Sequence, residues 1–436
     1  MPSPMDMPAT AREIFQRVLS EASIEKAFTR NVHYERSVLR IGDDLHDLQS
    51  YSRVLAVSFG KAGHRMAECL AQQLGTTVQG IIADPNPQPA QLQGYRYFAG
   101  SHPQPNQESV RAAEAILKSL GALNGQSLVI FMISGGGSSV VEKPVDSEIA
   151  LPDLVTTYKT LVLSGAPIAE INVVRKHLSA VKGGRMARAA QGTQQVSILV
   201  SDVPENALDS LASGPTMPDS STVEDCYRIA REYSMLQEFP ASVRELFDRH
   251  ALEETPKKND VAFARSRWWT VLSNATAERA AAAAAAEHGF AVEIDHSCDD
   301  WDYAKAADYL LARIRRLQRE VSRACIVSGG EVTVKVGGNA GTGGRNQHFA
   351  LYCAQKIAGE NIAVLSAGTD GIDGNTPAAG AVADGTTVER ARLAGLDVAD
   401  HLRGFNSYPL FEKLGDAIQT GPTGNNVRDV RVLMAY

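Results

Sequence analysis

Apolar and polar positions along the chain fall into short runs with two spacings. Leu128-Val129-Ile130-Phe131-Met132-Ile133 and Ala324-Cys325-Ile326-Val327 are unbroken apolar runs, the pattern of strands buried on both faces of a parallel sheet. Both stop at a Ser-Gly-Gly turn: Ser134-Gly135-Gly136-Gly137-Ser138-Ser139 and Ser328-Gly329-Gly330-Glu331. Glycine at a strand's carboxyl end lets backbone amides approach a ligand closely, which suits an anion. Arg53-Val54-Leu55-Ala56-Val57-Ser58-Phe59 followed by Gly60-Lys61-Ala62-Gly63 and a helical stretch to Leu74 forms a strand–turn–helix unit, the building block of a doubly wound sheet. Residues 80–84, 195–200, 268–272 and 362–365 read as further strands. The other spacing is helical: Ile14, Val18 and Leu19 share a face, with Thr10 and Glu13 as a capping-box pair before them. The alanine run at 280–286 predicts a helix closed by His288-Gly289.

Strand and helix alternate on both sides of a polar, proline-bearing stretch, Glu253-Glu254-Thr255-Pro256-Lys257-Lys258-Asn259-Asp260, which reads as a linker. The fold class expected is therefore α/β: two α/β domains, 1–255 (Rossmann-like) and 256–436, with mainly parallel, helix-flanked sheets and an interdomain cleft. Length agrees, since 436 residues exceed one ordinary core.

Composition removes several function classes. A hydrophobic fraction of 44% with 21% charged residues is that of a globular protein, and a formal charge of −7 argues against a nucleic-acid partner. Any basic cluster must then serve a local anion. The five cysteines are odd in number, scattered and without Cys-x-x-Cys spacing, as expected of reduced thiols in a cytoplasmic protein. There is no signal-like opening and no apolar run near the ~18 residues a membrane span needs, so no membrane partner is expected.

Candidate chemistry gathers in loops. Lys61 stands between a strand and a helix start, where an ammonium and free amides suit phosphate or carboxylate; a solvated lysine is the plain alternative. The loop is not a Walker A motif, having Leu55 where the first glycine belongs and Ala62 after the lysine. The 134–139 loop lacks the third glycine of a dinucleotide fingerprint, because Val140 stands there, and it also fails as a nucleophile elbow. What is left is a run of donors able to cradle oxyanions, or a tight turn.

Arg175, Lys176, Lys182 and Arg185, with His177, fall within fourteen residues, 172–185, either as a polyphosphate site or as a solvated basic face. Gly344-Arg345-Asn346-Gln347 opens a helix, so the Arg345 guanidinium and the helix amides are expected to share an anion. Asp202, after the 195–200 strand, and Asp370 and Asp373, in a glycine loop, supply the oxygen ligands that magnesium accepts while keeping waters.

The ordered set of loops resembles the class II glycerate 2-kinases, a family whose C-terminal portion is called the MOFRL domain. The motifs carrying the resemblance are Phe59-Gly60-Lys61-Ala62, Ser101-His102-Pro103-Gln104-Pro105, Ile133-Ser134-Gly135-Gly136-Gly137-Ser138, Val174-Arg175-Lys176-His177-Leu178-Ser179, Ala212-Ser213-Gly214-Pro215-Thr216, Gly344-Arg345-Asn346-Gln347, Gly368-Thr369-Asp370-Gly371 and Thr420-Gly421-Pro422-Thr423-Gly424. The resemblance spans nearly the whole chain, with the MOFRL region at about 323–430. It implies ATP-dependent phosphorylation of D-glycerate on its 2-hydroxyl, with Mg2+ as the metal and an active site between two α/β domains. It makes Lys61 and Arg345 the essential cations.

On that footing Lys61, Arg345 and Asp202 are the expected catalytic residues, and Asp202 and Asp370 the expected metal ligands. Ser134, Gly135, Gly136, Gly137, Ser138, Arg175, Lys176, Ser328, Gly329, Glu331, Gly344, Asn346, Gln347 and Thr369 are the expected substrate and nucleotide contacts. One departure from the family pattern is His348, where members usually carry glutamate. The rival expectations are an NAD(P)H-dependent hydroxypyruvate reductase, against which the failed fingerprint counts, and a non-enzymatic sensor of sugar-acid phosphates. A homodimer is compatible with either reading.

Overall fold

The computed structural model describes residues 6–75, 78–86, 88–338 and 340–436. They form two compact units. One is Ile24–Val271; the other joins the N-terminal residues up to Ser23 to Leu272–Tyr436.

The unit 24–271 is built on a six-stranded sheet in the order Tyr95–Phe98, Gln79–Ala83, Arg53–Phe59, Ser127–Ser134, Gln194–Val200, Ser266–Leu272. Its first five strands are parallel to their neighbours. In chain order this is 3-2-1-4-5-6, the doubly wound dinucleotide-fold arrangement. Ser127–Ser134 is buried at every position, which explains its unbroken apolar run. Helices Gly63–Leu74 and Gln107–Gly121 flank the sheet, and a separate helical layer buries Leu154, Val174, Ile229 and Leu246.

The expected linker is not one. Thr255 is buried and its hydroxyl donates to Asp219 Oδ2 at 2.8 Å, while Asp219 N donates to Pro256 O at 3.0 Å. These bonds bind 253–260 into the first unit, so the division falls at Val271/Leu272 rather than at 255/256. Polarity marked this stretch as exposed, and Glu253, Glu254, Lys258 and Asn259 are, but Thr255 and Pro256 are buried and tie it inward.

The second unit differs from expectation in its sheet. The order is Ala291–Asp295, Ala324–Gly329, Asp429–Ala435, Ile362–Gly368, Gly380–Asp384, Ala417–Ile418, and only the first pair is parallel. The strand Asp429–Ala435 lies between Ala324–Gly329 and Ile362–Gly368 and runs against both. Buried apolar runs made these strands look parallel, but a central antiparallel strand is equally dry on both faces. The alanine run forms the helix Asn274–Glu287, as expected, with Ser273 at its N-cap. The helix Met7–Glu21 packs on it and on Ile362–Gly368. Its cap is Asp6, which accepts from Ala9 N at 3.0 Å, so Thr10 lies inside the helix rather than at its start.

Among the described residues no helix is long and apolar enough to cross a membrane. All five cysteines are buried and free.

Candidate active site

In a 3-2-1-4-5-6 sheet, ligands bind beyond the carboxyl ends of the strands where the winding reverses. Here that place lies between Arg53–Phe59 and Ser127–Ser134, the strands leading into Gly60-Lys61-Ala62 and into the first Ser-Gly-Gly turn. The two loops are stitched together: Lys61 N donates to Gly135 O at 2.9 Å, and Ala62 N to Ser134 Oγ at 3.0 Å. Gly60 N donates to Ala83 O at 3.2 Å and His64 N to Asp84 Oδ2 at 3.0 Å. The amides of Gly60, Lys61, Ala62, Gly63 and His64 are therefore all taken by internal acceptors. What the helix start offers is the Lys61 ammonium, on an exposed side chain that has no partner among the described residues.

Ser134 is likewise a structural residue, 2% exposed and held by Ala62 N. The turn beyond it is open. The amides of Gly136, Gly137 and Ser138 donate to nothing among the described residues, and Gly136 takes φ +78°, a conformation that favours glycine. A Cβ on Gly136 would stand 3.0 Å from Lys61 Cγ and 2.9 Å from His102 Cδ2, and a Cβ on Gly135 would stand 1.9 Å from Asp202 Oδ2. An ammonium, an imidazole and a carboxylate thus crowd the same turn, which brings Lys61, Gly135, Gly136, Gly137, Ser138 and Asp202 together. Burial and the neighbouring Lys61 ammonium hold the His102 pKa below its ordinary value. His102 was quoted within a motif but given no role by sequence reasoning.

A cavity of about 360 Å³ opens beside this turn, lined by Ser138, Ser139, Tyr158, Lys159, Arg175 and Lys182 among others. Of the basic cluster, Arg175 reaches it, with its guanidinium 5.1 Å from the Tyr158 ring and its Nε unpartnered. Lys176 does not: it is 5% exposed and bound to Asp209 Oδ2 at 3.0 Å and Asp219 Oδ1 at 3.1 Å. Lys182 is buried against Glu142, which also accepts from Tyr158 Oη at 2.7 Å. Arg185 donates to Glu253 O at 3.1 Å. The cluster is therefore neither a solvated face nor a single polyphosphate site, because most of its cations are spent on internal partners.

The second unit shows the same economy more strongly. Glu278 Oε1 accepts from Gly329 N at 2.8 Å, Asn274 Oδ1 from Gly330 N at 2.7 Å, and the buried Arg431 bonds both carbonyls of this turn. Ser328 is fully buried. The second Ser-Gly-Gly turn, with Ser328 and Gly329, is thus an internal knot rather than a ligand cradle.

Nor are the Asn346 and Gln347 amides of the Gly-Arg-Asn-Gln helix free. Asp373 accepts from Asn346 N at 3.1 Å and Gln347 N at 2.9 Å, with Gln347 Nε2 at 3.0 Å, and caps the helix Arg345–Lys356 from within. A Cβ on Gly344 would stand 2.2 Å from Asp373 Cγ, so only glycine permits this approach. Asn346 further accepts from Ser366 Oγ at 2.6 Å. Burial pushes the Asp373 carboxyl up to about 6, against the lowering effect of those amides. Thr369 is also structural, its hydroxyl held between Arg428 O and Val427 N.

Arg345 makes a fork with Asp429, Nε to Oδ2 at 2.6 Å and Nη2 to Oδ1 at 3.0 Å, and lies 2.9 Å from Glu331. Burial opposes its charge, yet the bonds to Asp429 and the Glu331 carboxylate hold its pKa above the arginine range. Arg345 and Asp370 do meet at one place, lining a cavity of about 740 Å³ with Asp373, His348 and Phe405. Sequence reasoning noted Asp373 beside Asp370 and gave it no role of its own; the structure makes it the internal cap of the helix Arg345–Lys356. The same reasoning missed Asp429, whose signal was an acid heading the strand-like run Val430-Arg431-Val432-Leu433-Met434, apolar but for Arg431.

Among the described residues no group of three His, Cys, Asp or Glu could hold a metal ion. Single carboxylates on loops, such as Asp202 and Asp370, still fit magnesium, which takes one or two carboxylates and fills its other positions with phosphates and water.

A doubly wound unit with an open glycine turn beside a bare lysine has the make-up of a site for small anionic molecules. Residues 10–248 match the domain of unknown function DUF4147, and residues 324–429 match the MOFRL family. A D-glycerate 2-kinase of Thermotoga maritima is 35% identical, covering 87% of this chain and 89% of its own. A glycerate 2-kinase of Pyrococcus horikoshii is 34% identical, covering 96% of each. An Agrobacterium vitis relative with the provisional name of hydroxypyruvate reductase is 36% identical over 88% of this chain and 87% of its own. The crystal structure of glycerate kinase from Thermotoga maritima superposes with a TM-score of 0.86 at 32% identity, covering 99% of this chain and 100% of that one. The chain belongs to the MOFRL-domain glycerate 2-kinase family.

Proposed function

We propose that the protein transfers the terminal phosphoryl group of ATP to the 2-hydroxyl of D-glycerate, giving 2-phosphoglycerate and ADP. The observation that carries this reading is the convergence of the Lys61 side chain, the free 136–138 amides and the Asp202 carboxylate on one glycine turn at the switch point of the first sheet. Phosphoryl transfer needs little covalent help, so positioning and charge stabilisation dominate.

In this reading the 136–138 amides hold oxygens of the phosphate or carboxylate, and Lys61 offsets charge building on the transferred group. Asp202 orients the 2-hydroxyl and accepts its proton. Arg175, at the adjoining cavity, takes the glycerate carboxylate, a group its fork matches. Arg345, steadied by Asp429 and Glu331, presents Nη1 to the nucleotide phosphates. Magnesium arriving with ATP would be held by Asp202 or Asp370 and would neutralise phosphate charge there. The protein acts as a cytoplasmic enzyme.

Phosphorus NMR of the product formed from D-glycerate, ATP and magnesium tests activity and position together. A 2-phosphoglycerate resonance is expected; a 3-phosphoglycerate resonance, or none, overturns the proposal. With NADH and hydroxypyruvate no loss of nicotinamide absorbance is expected.

A further inference from the structure

His348 follows Gln347 on the helix Arg345–Lys356 and is 3% exposed, yet neither ring nitrogen has a hydrogen-bond partner among the described residues. Buried polar atoms are nearly always paired, so two orphans on one ring need a reason. The ring lies face to face with Phe405, centroids 4.8 Å apart at 24°, and edge-on to Tyr303 at 4.5 Å. Both His348 and Phe405 line the cavity of about 740 Å³, as do Val332, Val334 and Val336. Phe405 itself has φ +47°, uncommon for an aromatic residue and of the kind that collects at ligand clamps.

The charges around this cavity do not favour an anion at its aromatic end. Arg345 is already matched by Asp429 and Glu331, and Asp370 and Asp373 add further acids. An uncharged, flat, polar ring suits the aromatic end better. We propose that the cavity receives the base of the nucleotide, with His348 hydrogen-bonding to the base edge and Phe405 as the cover that swings off it. The inference rests on the kinase reading above and adds where the base goes and which side chain reads it.

Burial holds the His348 pKa down at about 4, so the ring is neutral at physiological pH and carries one donor and one acceptor. A heteroaromatic edge alternates donors and acceptors and can answer either nitrogen. A phosphate or carboxylate only accepts. The volume also falls in the range of roughly 300–1,000 Å³ usual for small-molecule sites.

Calorimetric titration of the full chain with ADP in magnesium buffer tests this, alongside the KM for D-glycerate. His348→Phe keeps the stack with Phe405 and Tyr303 but removes both nitrogens, and is expected to weaken ADP about tenfold, the loss of one hydrogen bond. His348→Gln restores a donor and an acceptor and is expected to recover most of that affinity, with the D-glycerate KM unmoved in both. Unchanged ADP affinity in His348→Phe, or a loss that falls on D-glycerate instead, overturns the inference and leaves the kinase reading standing. Failure of the unaltered protein to bind ADP overturns the kinase reading, and this inference with it.

Discussion

The two Ser-Gly-Gly turns share a sequence and end the same kind of buried strand, yet they do opposite work. After Ser127–Ser134 the amides of 136–138 are open, with the Lys61 and Asp202 side chains gathered over the turn. After Ala324–Gly329 the amides of Gly329, Gly330 and Glu331 are claimed by Glu278, Asn274 and Asp299, and the Gly329 and Gly330 carbonyls by Arg431. Glycine permits close approach in both; what approaches is decided by neighbours distant in sequence. Three amides of one turn are left open for a ligand, while the glycine amides and carbonyls of the other are satisfied by the protein itself.

Four substitutions would break or sharpen that contrast. Lys61→Ala removes an exposed cation, so turnover is expected to fall by about 10²–10³, or about 3–4 kcal/mol, with thermal midpoint unchanged. Wild-type turnover in this variant would end the first turn's claim to chemistry. Gly329→Ala forces a Cβ to within 1.8 Å of Asn274 Oδ1 and 2.4 Å of Glu278 Oε1. Loss of about 3 kcal/mol in urea unfolding is expected, since the buried Glu278 and the half-buried Asn274 lose their amides.

Asp373, the internal cap, gives a pH signature. Its folded pKa of about 6 lies above the unfolded carboxylate value of about 3.9. The native state therefore binds more protons between those values, and its contribution to stability is full below about pH 4 and lost as pH rises through about 6. The unaltered protein should lose about 2 kcal/mol across that window relative to Asp373→Asn, read from urea midpoints at both ends; parallel curves would refute the buried-cap account. Gly135→Ala has the smallest expected effect, displacing Asp202 and lowering kcat/KM about tenfold with little change in stability. A variant that loses stability and keeps activity would make the first turn no different from the second.

The contrast also shows how far sequence could reach. The strand–turn–helix at 53–74, the alanine helix and the α/β alternation were legible because each rests on local periodicity. The antiparallel entry of Asp429–Ala435 was not, because an apolar run carries no sign of its direction. Loop positions near the site were legible from their glycines. Whether an amide or a cation is free was not, since that depends on partners such as Asp84 for His64 N, Asp219 for Lys176 and Asp373 for Gln347. Arg345 shows the limit well: its fork geometry was foreseen, but an internal carboxylate fills it.

The strand Asp429–Ala435 follows every other strand in the chain and sits between two strands of its sheet, and the same unit includes the helix Met7–Glu21. During synthesis the earliest helix must therefore wait for the latest strand, while Ile24–Val271 has all it needs long before. A ribosome-bound chain halted before Asp429 should resist protease across 24–271 and remain cleavable on either side of it. The order of manufacture is thus 24–271 first, with Met7–Glu21 and residues 272–428 left waiting for Asp429–Ala435.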